Sequence, residues 1–335
     1  MRKPLLLLTA LAAAPLAAQM PPPKPGDAPS PTEIVTAAPK ADWAAIDPKD
    51  LLVMDLAPDD KGRARRVVIQ LLPPPFSQGW IGNIRKLAAA HWWDGLAVVR
   101  VQDNYVTQWG DPDGEDKAKA RALPKGLVEV PQSEYASEAN QRSICGAPRS
   151  NDETYCVQAE PGIVFATDDL KLDIYANSVG FDHGWPIAFG DQKSWPVHCY
   201  GMVGVGRDMP PSTGTGAELY TVIGHAPRQL DRNIALVGRI IDGMEFMSSL
   251  PRGHGPLGFY DLAQGDERVP IVSVRLATDL ASDKTLPAYE YLSTESASFA
   301  KYADARANRR DPFYIRPAGG ADVCNVPVPV RRVKP

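Results

Sequence analysis

Short apolar runs, some alternating with polar positions and some unbroken, recur at 51–56, 66–72, 96–101, 105–109, 202–205, 219–223, 235–241 and 271–276. Runs of that length bounded by turn residues are strand signatures. The first two flank Asp59-Asp60-Lys61-Gly62, a turn signal, and predict a β-hairpin. Residues 79–90 have a different period. Ile81, Ile84 and Leu87 recur on one helical face after a proline cluster that cannot continue a strand, so a helix is predicted there. A second helix is predicted over 293–307. Between 112 and 199 the periodicity dissolves among glycine, proline and acidic residues, which reads as an insertion with little regular structure. Many short strands with few helices argue for a mainly β chain closed into a barrel or sandwich.

The amino terminus has another logic. Arg2 and Lys3 precede an apolar run closed by Ala17 and Ala18, the order of a secretory signal peptide and too short to span a bilayer comfortably. No cysteine follows the cleavage point, so no membrane anchor is expected after cleavage. The predicted location is periplasmic or secreted. Prolines crowd positions 21–39, and residues 19–47 read as an extended linker. The expected organisation is signal 1–18, linker 19–47, folded domain 48–285 with the insertion at 112–199, and a C-terminal helix and tail over 286–335.

In an oxidising compartment Cys145, Cys156, Cys199 and Cys324 are expected to pair. Three connectivities are open. The short separation of Cys145 and Cys156 across a polar turn favours that pair, leaving Cys199 with Cys324. Zinc is the rival reading, and the absence of Cys-x-x-Cys or His-x-x-x-His opposes it.

The length, 335 residues, allows one or two domains with ample core. With 44% apolar and 23% charged residues the chain is neither disordered nor a polytopic membrane protein. A net charge of −4 leaves no electrostatic footprint for nucleic acid. Nucleophile elbows, phosphate loops and zinc-protease motifs are missing. The stretch from Asp111 to Asp116 starts like a calcium loop, but Ala122 stands where the closing glutamate belongs, and it reads as a solvated turn. The five histidines are scattered, each read as structural. No metal or cofactor is expected.

One constellation remains. Arg100 is followed by Tyr105, then Gln108, then Gly110-Asp111, within Val98-Val99-Arg100-Val101-Gln102-Asp103-Asn104-Tyr105-Val106-Thr107-Gln108-Trp109-Gly110-Asp111. This spacing resembles the Phe-His-Arg-Val-Ile, aromatic, Gln-Gly-Gly-Asp strand pair of the cyclophilin-type peptidyl-prolyl isomerases. Upstream, Asn83-Ile84-Arg85-Lys86-Leu87 resembles the family's Glu-Asn-Phe-x-x-Leu helix. Downstream, Gly201-Met202-Val203-Gly204-Val205-Gly206 is similar to Ser-Met-Ala-Asn-Ala-Gly, and Thr215-Gly216-Ala217-Glu218-Leu219-Tyr220 to Asn-Gly-Ser-Gln-Phe-Phe. The block from Leu230-Asp231 to Gly243-Met244 and the closing strand after Val269 complete the order.

The resemblance implies a closed eight-stranded antiparallel β-barrel capped by helices. It also implies an isomerase that binds proline-containing polypeptides and assists the folding of exported proteins, working as a monomer without cofactor. Arg100 would be the catalytic donor. Gln108, Tyr105, Val106, Val203, Gly204, Glu218, Tyr220, Leu230 and Ile234 would bind substrate, with Tyr105, Val106, Tyr220 and Leu230 lining the proline slot. The chemistry needs no nucleophile: an X-Pro bond turns slowly because twisting the amide loses resonance, and holding the twisted form is enough. Departures from the family pattern are Ile234 for its histidine, Glu218 for glutamine, Gly204 for asparagine, Tyr220 for phenylalanine and Gln229 for tryptophan. They imply weak cyclosporin binding and slow or narrow catalysis, and they motivate a rival reading, a non-catalytic peptide-binding chaperone or scaffold. A third reading, a carbohydrate-binding barrel, rests on Trp92, Trp93, Trp185 and Trp195.

Overall fold

The computed structural model describes residues 28–138, 173–283 and 285–333, together with the backbone of a short hairpin at 143–145 and 156–158. The predicted signal peptide, the linker up to residue 27 and the Cys145 and Cys156 side chains lie outside the described residues.

The elements run in the order α1 (Pro31–Ala37), β1 (Trp43–Ala45), β2 (Leu51–Leu56), β3 (Arg65–Leu71), α2 (Gln78–Ala89), β4 (Ala97–Val101), β5 (Val106–Gly110), β6 (Ser137–Glu138), β7 (Ser143–Cys145) and β8 (Cys156–Gln158). They continue with β9 (Ser178–Asp182), β10 (Trp185–Gly190), β11 (Lys193–Pro196), β12 (Met202–Val205), β13 (Leu219–Val222), β14 (Leu236–Asp242), α3 (Glu245–Ser248), β15 (Val269–Leu276), β16 (Tyr289–Leu292), α4 (Ala297–Ala307) and β17 (Val330–Arg332). Eight strands close an antiparallel barrel in the order β12-β13-β5-β4-β15-β2-β3-β14. Closure leaves no unpaired edge, which is how an all-β sheet avoids pairing with other chains.

Along each barrel strand the pleat sends alternate side chains to opposite faces. On β5 Trp109 enters the main core and Val106 does not; on β13 Leu219 enters it while Tyr220 and Val222 stay on the outer face. Helix α2 covers the barrel with Trp80, Ile81, Ile84, Leu87 and Ala88, a 3.6-residue stripe. Its buried Asn83 exchanges hydrogen bonds with the backbone of Val128 and donates to Thr215 O, tying two loops to the helix.

Two expectations need correction. Residues 28–47 are not wholly an extended linker. Ser30 caps α1 with a capping box shared with Glu33, Pro31 sits at the first turn where its missing N–H costs nothing, and β1 buries Trp43. Strand β1 pairs with β16, which pairs with β17, so both ends of the folded chain share one three-stranded sheet, and α1 packs against α4. The insertion, too, has regular structure. Strands β9, β10 and β11 form a four-stranded sheet with β6, whose Val179, Phe181, Trp185, Ile187, Phe189 and Trp195 join the same core as the barrel. Phe181 packs edge-on against Phe299 of α4, centroids 5.0 Å apart.

Arg239 fastens this sheet to the barrel. Its buried guanidinium donates to Gly184 O at 2.7 Å and to Gln70 Oε1 at 2.8 and 3.0 Å, and lies 4.4 Å from the centroid of Trp185. Cys199 and Cys324 are disulfide-bonded, with Cα atoms 5.1 Å apart. The backbones of Cys145 and Cys156 stand opposite each other in the β7–β8 ladder; the expected bond between their side chains lies outside the described residues. Trp92, Trp93, Trp185 and Trp195 are all buried, so they offer no sugar-binding platform.

Candidate active site

Strand register builds the site. Arg100 of β4 stands opposite Gln108 of β5, Gln108 opposite Tyr220 of β13, and Tyr220 opposite Gly204 of β12. Adjacent strands lie about 4.8 Å apart, so these four positions form one continuous row across the outer face of the barrel. Val106 and Val222 form the next row of the same face. With Tyr220 they make a small apolar cluster outside the main core, and Tyr105 and Ile234 pack against it.

Arg100 reaches this face through an irregularity. Simple alternation would place it with Val98, which is fully buried in the core, but the β4–β5 register shifts between Val98 and Arg100. A bulge re-aims the side chain outward. There its Nε donates to Leu257 O at 2.7 Å, one terminal nitrogen donates to Gln108 Oε1 at 3.4 Å and the other to Gln102 Oε1. The guanidinium sits between two rings, 5.6 Å from the Tyr105 centroid and 5.3 Å from that of Phe259. Burial lowers its pKa below the ordinary guanidinium value, opposed by Tyr105. It stays charged, as guanidinium does in proteins. Three of its five N–H groups are used, leaving one on each terminal nitrogen for a ligand.

The sequence model described as "Cyclophilin type peptidyl-prolyl cis-trans isomerase/CLD" matches residues 79–275, more than half of the chain. The chain belongs to that family. This cyclophilin-type isomerase has no match among curated proteins. Among solved structures it is similar to the crystal structure of cyclophilin AquaCyp293 from Hirschia baltica, at 21% identity and a TM-score of 0.58, covering 88% of this chain and 95% of the other. It also aligns with a Cryptosporidium parvum cyclophilin-type isomerase crystallised in the presence of the dipeptide Ala-Pro, at 10% identity and a TM-score of 0.35. That alignment covers 67% of this chain and 98% of the other.

Within this cyclophilin the predicted residues divide. Arg100, Gln108, Tyr105, Val106, Tyr220, Gly204 and Ile234 come together as described. Val203 does not: its side chain is buried in the main core. Leu230 stands half-buried on a 3-10 turn, accepting the Ile234 backbone N–H, outside the Val106–Tyr220–Val222 cluster. Gly204 is accounted for by Tyr220, because a Cβ there would lie 2.3 Å from the tyrosine hydroxyl. The two departures from the family pattern are thus one packing solution.

Glu218 turns away from the slot. Its carboxylate fills the space where Gly110 lacks a Cβ and accepts the Asp111 N–H at 2.7 Å. Burial raises its pKa to about 7; the Asp111 N–H and the Gln108 side chain oppose this, and the charges of Asp111 and Glu115 add to it. Glu218, Gln108, Val99, Gly206, Phe259 and Arg268 line a cavity of about 460 Å³ beside the row.

Sequence reasoning missed Phe259 and Leu257, which cover Arg100 from the loop before β15, and His198, which reaches Tyr220 from the insertion. His198 Nε2 lies 2.9 Å from the Tyr220 hydroxyl oxygen, and the residue is almost fully buried. Its adjacency to Cys199 was the available signal.

Proposed function

We propose that this isomerase acts on X-Pro bonds of polypeptides outside the cytoplasm and assists their folding. The observation that carries the site assignment is the cross-strand row Arg100–Gln108–Tyr220 beside the Val106–Tyr105–Ile234 cluster. In this reading the apolar cluster grips the proline ring and the Gln108 amide holds the flanking backbone. A free Arg100 N–H donates to the proline nitrogen as the amide twists and that nitrogen gains a lone pair. The donor is strong only in the twisted state, because the planar amide nitrogen has no lone pair to offer. Such differential binding accelerates the step. The uncatalysed barrier is about 18–20 kcal/mol, and one preorganised donor removes about 3–4 kcal/mol. Proline-containing peptide is the substrate class; export is supported by the Arg2-Lys3 start, the apolar run and the small residues before Gln19.

Two experiments test this. Mature protein should speed the proline-limited phase of a refolding client; a refolding rate unchanged by added protein overturns the folding role. The full chain expressed in a Gram-negative host should fractionate outside the cytoplasm, and removal of residues 1–18 should retain it inside. Retention of both forms inside overturns export.

A further inference from the structure

We infer that His198, supplied by the insertion, is a positioning residue of the proline slot, acting through the Tyr220 hydroxyl. The inference rests on the isomerase reading and concerns what holds one wall of its slot in place.

His198 follows β11 by two residues and is 1% exposed. Its Nδ1 lies 2.8 Å from Asp231 Oδ1, and its backbone N–H donates to the same oxygen at 3.0 Å. A carboxylate only accepts, so Nδ1 carries the proton that is donated. In the neutral imidazole Nε2 is then the acceptor for the Tyr220 hydroxyl, 2.9 Å away. The two rings are almost parallel, 10° between planes and 6.4 Å between centroids.

Behind His198 the chain of bonds continues. Asp231 Oδ2 accepts from Arg228 Nε at 2.7 Å, and the Arg228 terminal nitrogens donate to Asp173 at 2.6 and 3.1 Å. Asp173, Arg228, Asp231 and His198 are all nearly excluded from solvent. Partners that deep in the protein cannot be replaced by water at little cost, so their directions are strongly set. The Tyr220 hydroxyl at the end of this series is itself buried, over Gly204. The other end of the ring packs with Val106 and Val222, next to Gln108 in the row that carries Arg100. Any tilt of the ring that moved the slot wall would break the bond to His198. His198 is in turn adjacent to Cys199, whose disulfide to Cys324 ties it to the C-terminal segment. Through His198 the insertion therefore meets the slot wall.

A histidine that merely fills the core would affect stability alone. A positioning residue would affect substrate affinity and would do so only while the tyrosine hydroxyl is present. The test is exchange NMR on a short X-Pro peptide, giving kcat, KM and peptide Kd, for wild type, His198→Phe, His198→Gln, Tyr220→Phe and the His198→Phe/Tyr220→Phe double variant. Thermal melts check that each is folded at the assay temperature. His198→Phe is expected to lower kcat/KM about tenfold, mainly through KM and Kd, the size of one lost buried hydrogen bond. His198→Gln, whose amide can still meet the hydroxyl, recovers most of the loss. On the Tyr220→Phe background the same His198→Phe change should cost less than about twofold. An equal cost on both backgrounds, or no cost with the tyrosine in place, overturns the inference. If His198→Phe does not fold, a His198→Gln KM matching wild type, with no coupling to Tyr220→Phe, also overturns it. Wild type that neither turns over nor binds the peptide would instead overturn the isomerase reading, which this comparison of variants leaves distinguishable.

Discussion

At the residue scale, Glu218 gives the site a pH signature. Its folded pKa of about 7 exceeds the 4.5 of the free side chain, so the native state holds more protons than the unfolded chain between those values. Stability linked to this group is full below about pH 4.5 and is lost as pH rises through about 7, up to roughly 3 kcal/mol. Glu218→Gln should flatten that dependence. Melting temperatures of variant and wild type should diverge in the variant's favour from about pH 5 to about pH 8, and parallel curves would contradict the assignment. Gly204→Ala puts a methyl against the Tyr220 hydroxyl and should cost about 1–3 kcal/mol on a denaturant curve, with reduced isomerase activity. Alternation along 98–101 would bury Arg100 with Val98, and only a bulge brings it out. Periodicity alone could therefore not single out Arg100; the spacing to Tyr105 and Gln108 could.

Among the elements, strands 51–56 and 202–205 were legible to the residue because each is a compact apolar run between clear turns. Helix α1 was not, although Ser30-Pro31-Thr32-Glu33 is a capping box with proline in its proper place. The proline-rich composition around it masks the proline that occupies its first turn. The insertion sheet was hidden by its turns, since His183, Asp191 and Gln192 adopt left-handed backbone without the usual Asn-Gly signal. The elements outside the barrel are held by a few strong ties. Opening Cys199–Cys324, which spans 125 residues, should cost about 3–5 kcal/mol. A Cys199→Ser/Cys324→Ser variant or a reducing agent should lower the melting temperature accordingly, and an unchanged melt would contradict the tie. Arg239→Met leaves Gly184 O and Gln70 without their buried donor. It should cost about 1–3 kcal/mol and raise protease sensitivity around the insertion; wild-type resistance would contradict its fastening role.

The whole molecule is a barrel with an insertion and two terminal segments built onto it, all contributing to one apolar core. Fold class was legible because strand count, turn spacing and the ordered family motifs agree. How the insertion engages the barrel was not, since Arg239, His198 and Phe299 make contacts across more than twenty residues that no local pattern encodes. On one outer face of that architecture Arg100, Gln108 and Tyr220 stand in register beside an apolar cluster, and the account depends on Arg100 favouring the twisted amide. The most direct test is exchange spectroscopy on a short X-Pro peptide with wild type and Arg100→Ala. Wild type should broaden the cis and trans resonances through catalysed exchange, and the variant should bind the peptide comparably while losing about 10²–10³-fold in kcat/KM. Undiminished exchange in Arg100→Ala would contradict the account, and wild-type binding without exchange would make the site a peptide holder.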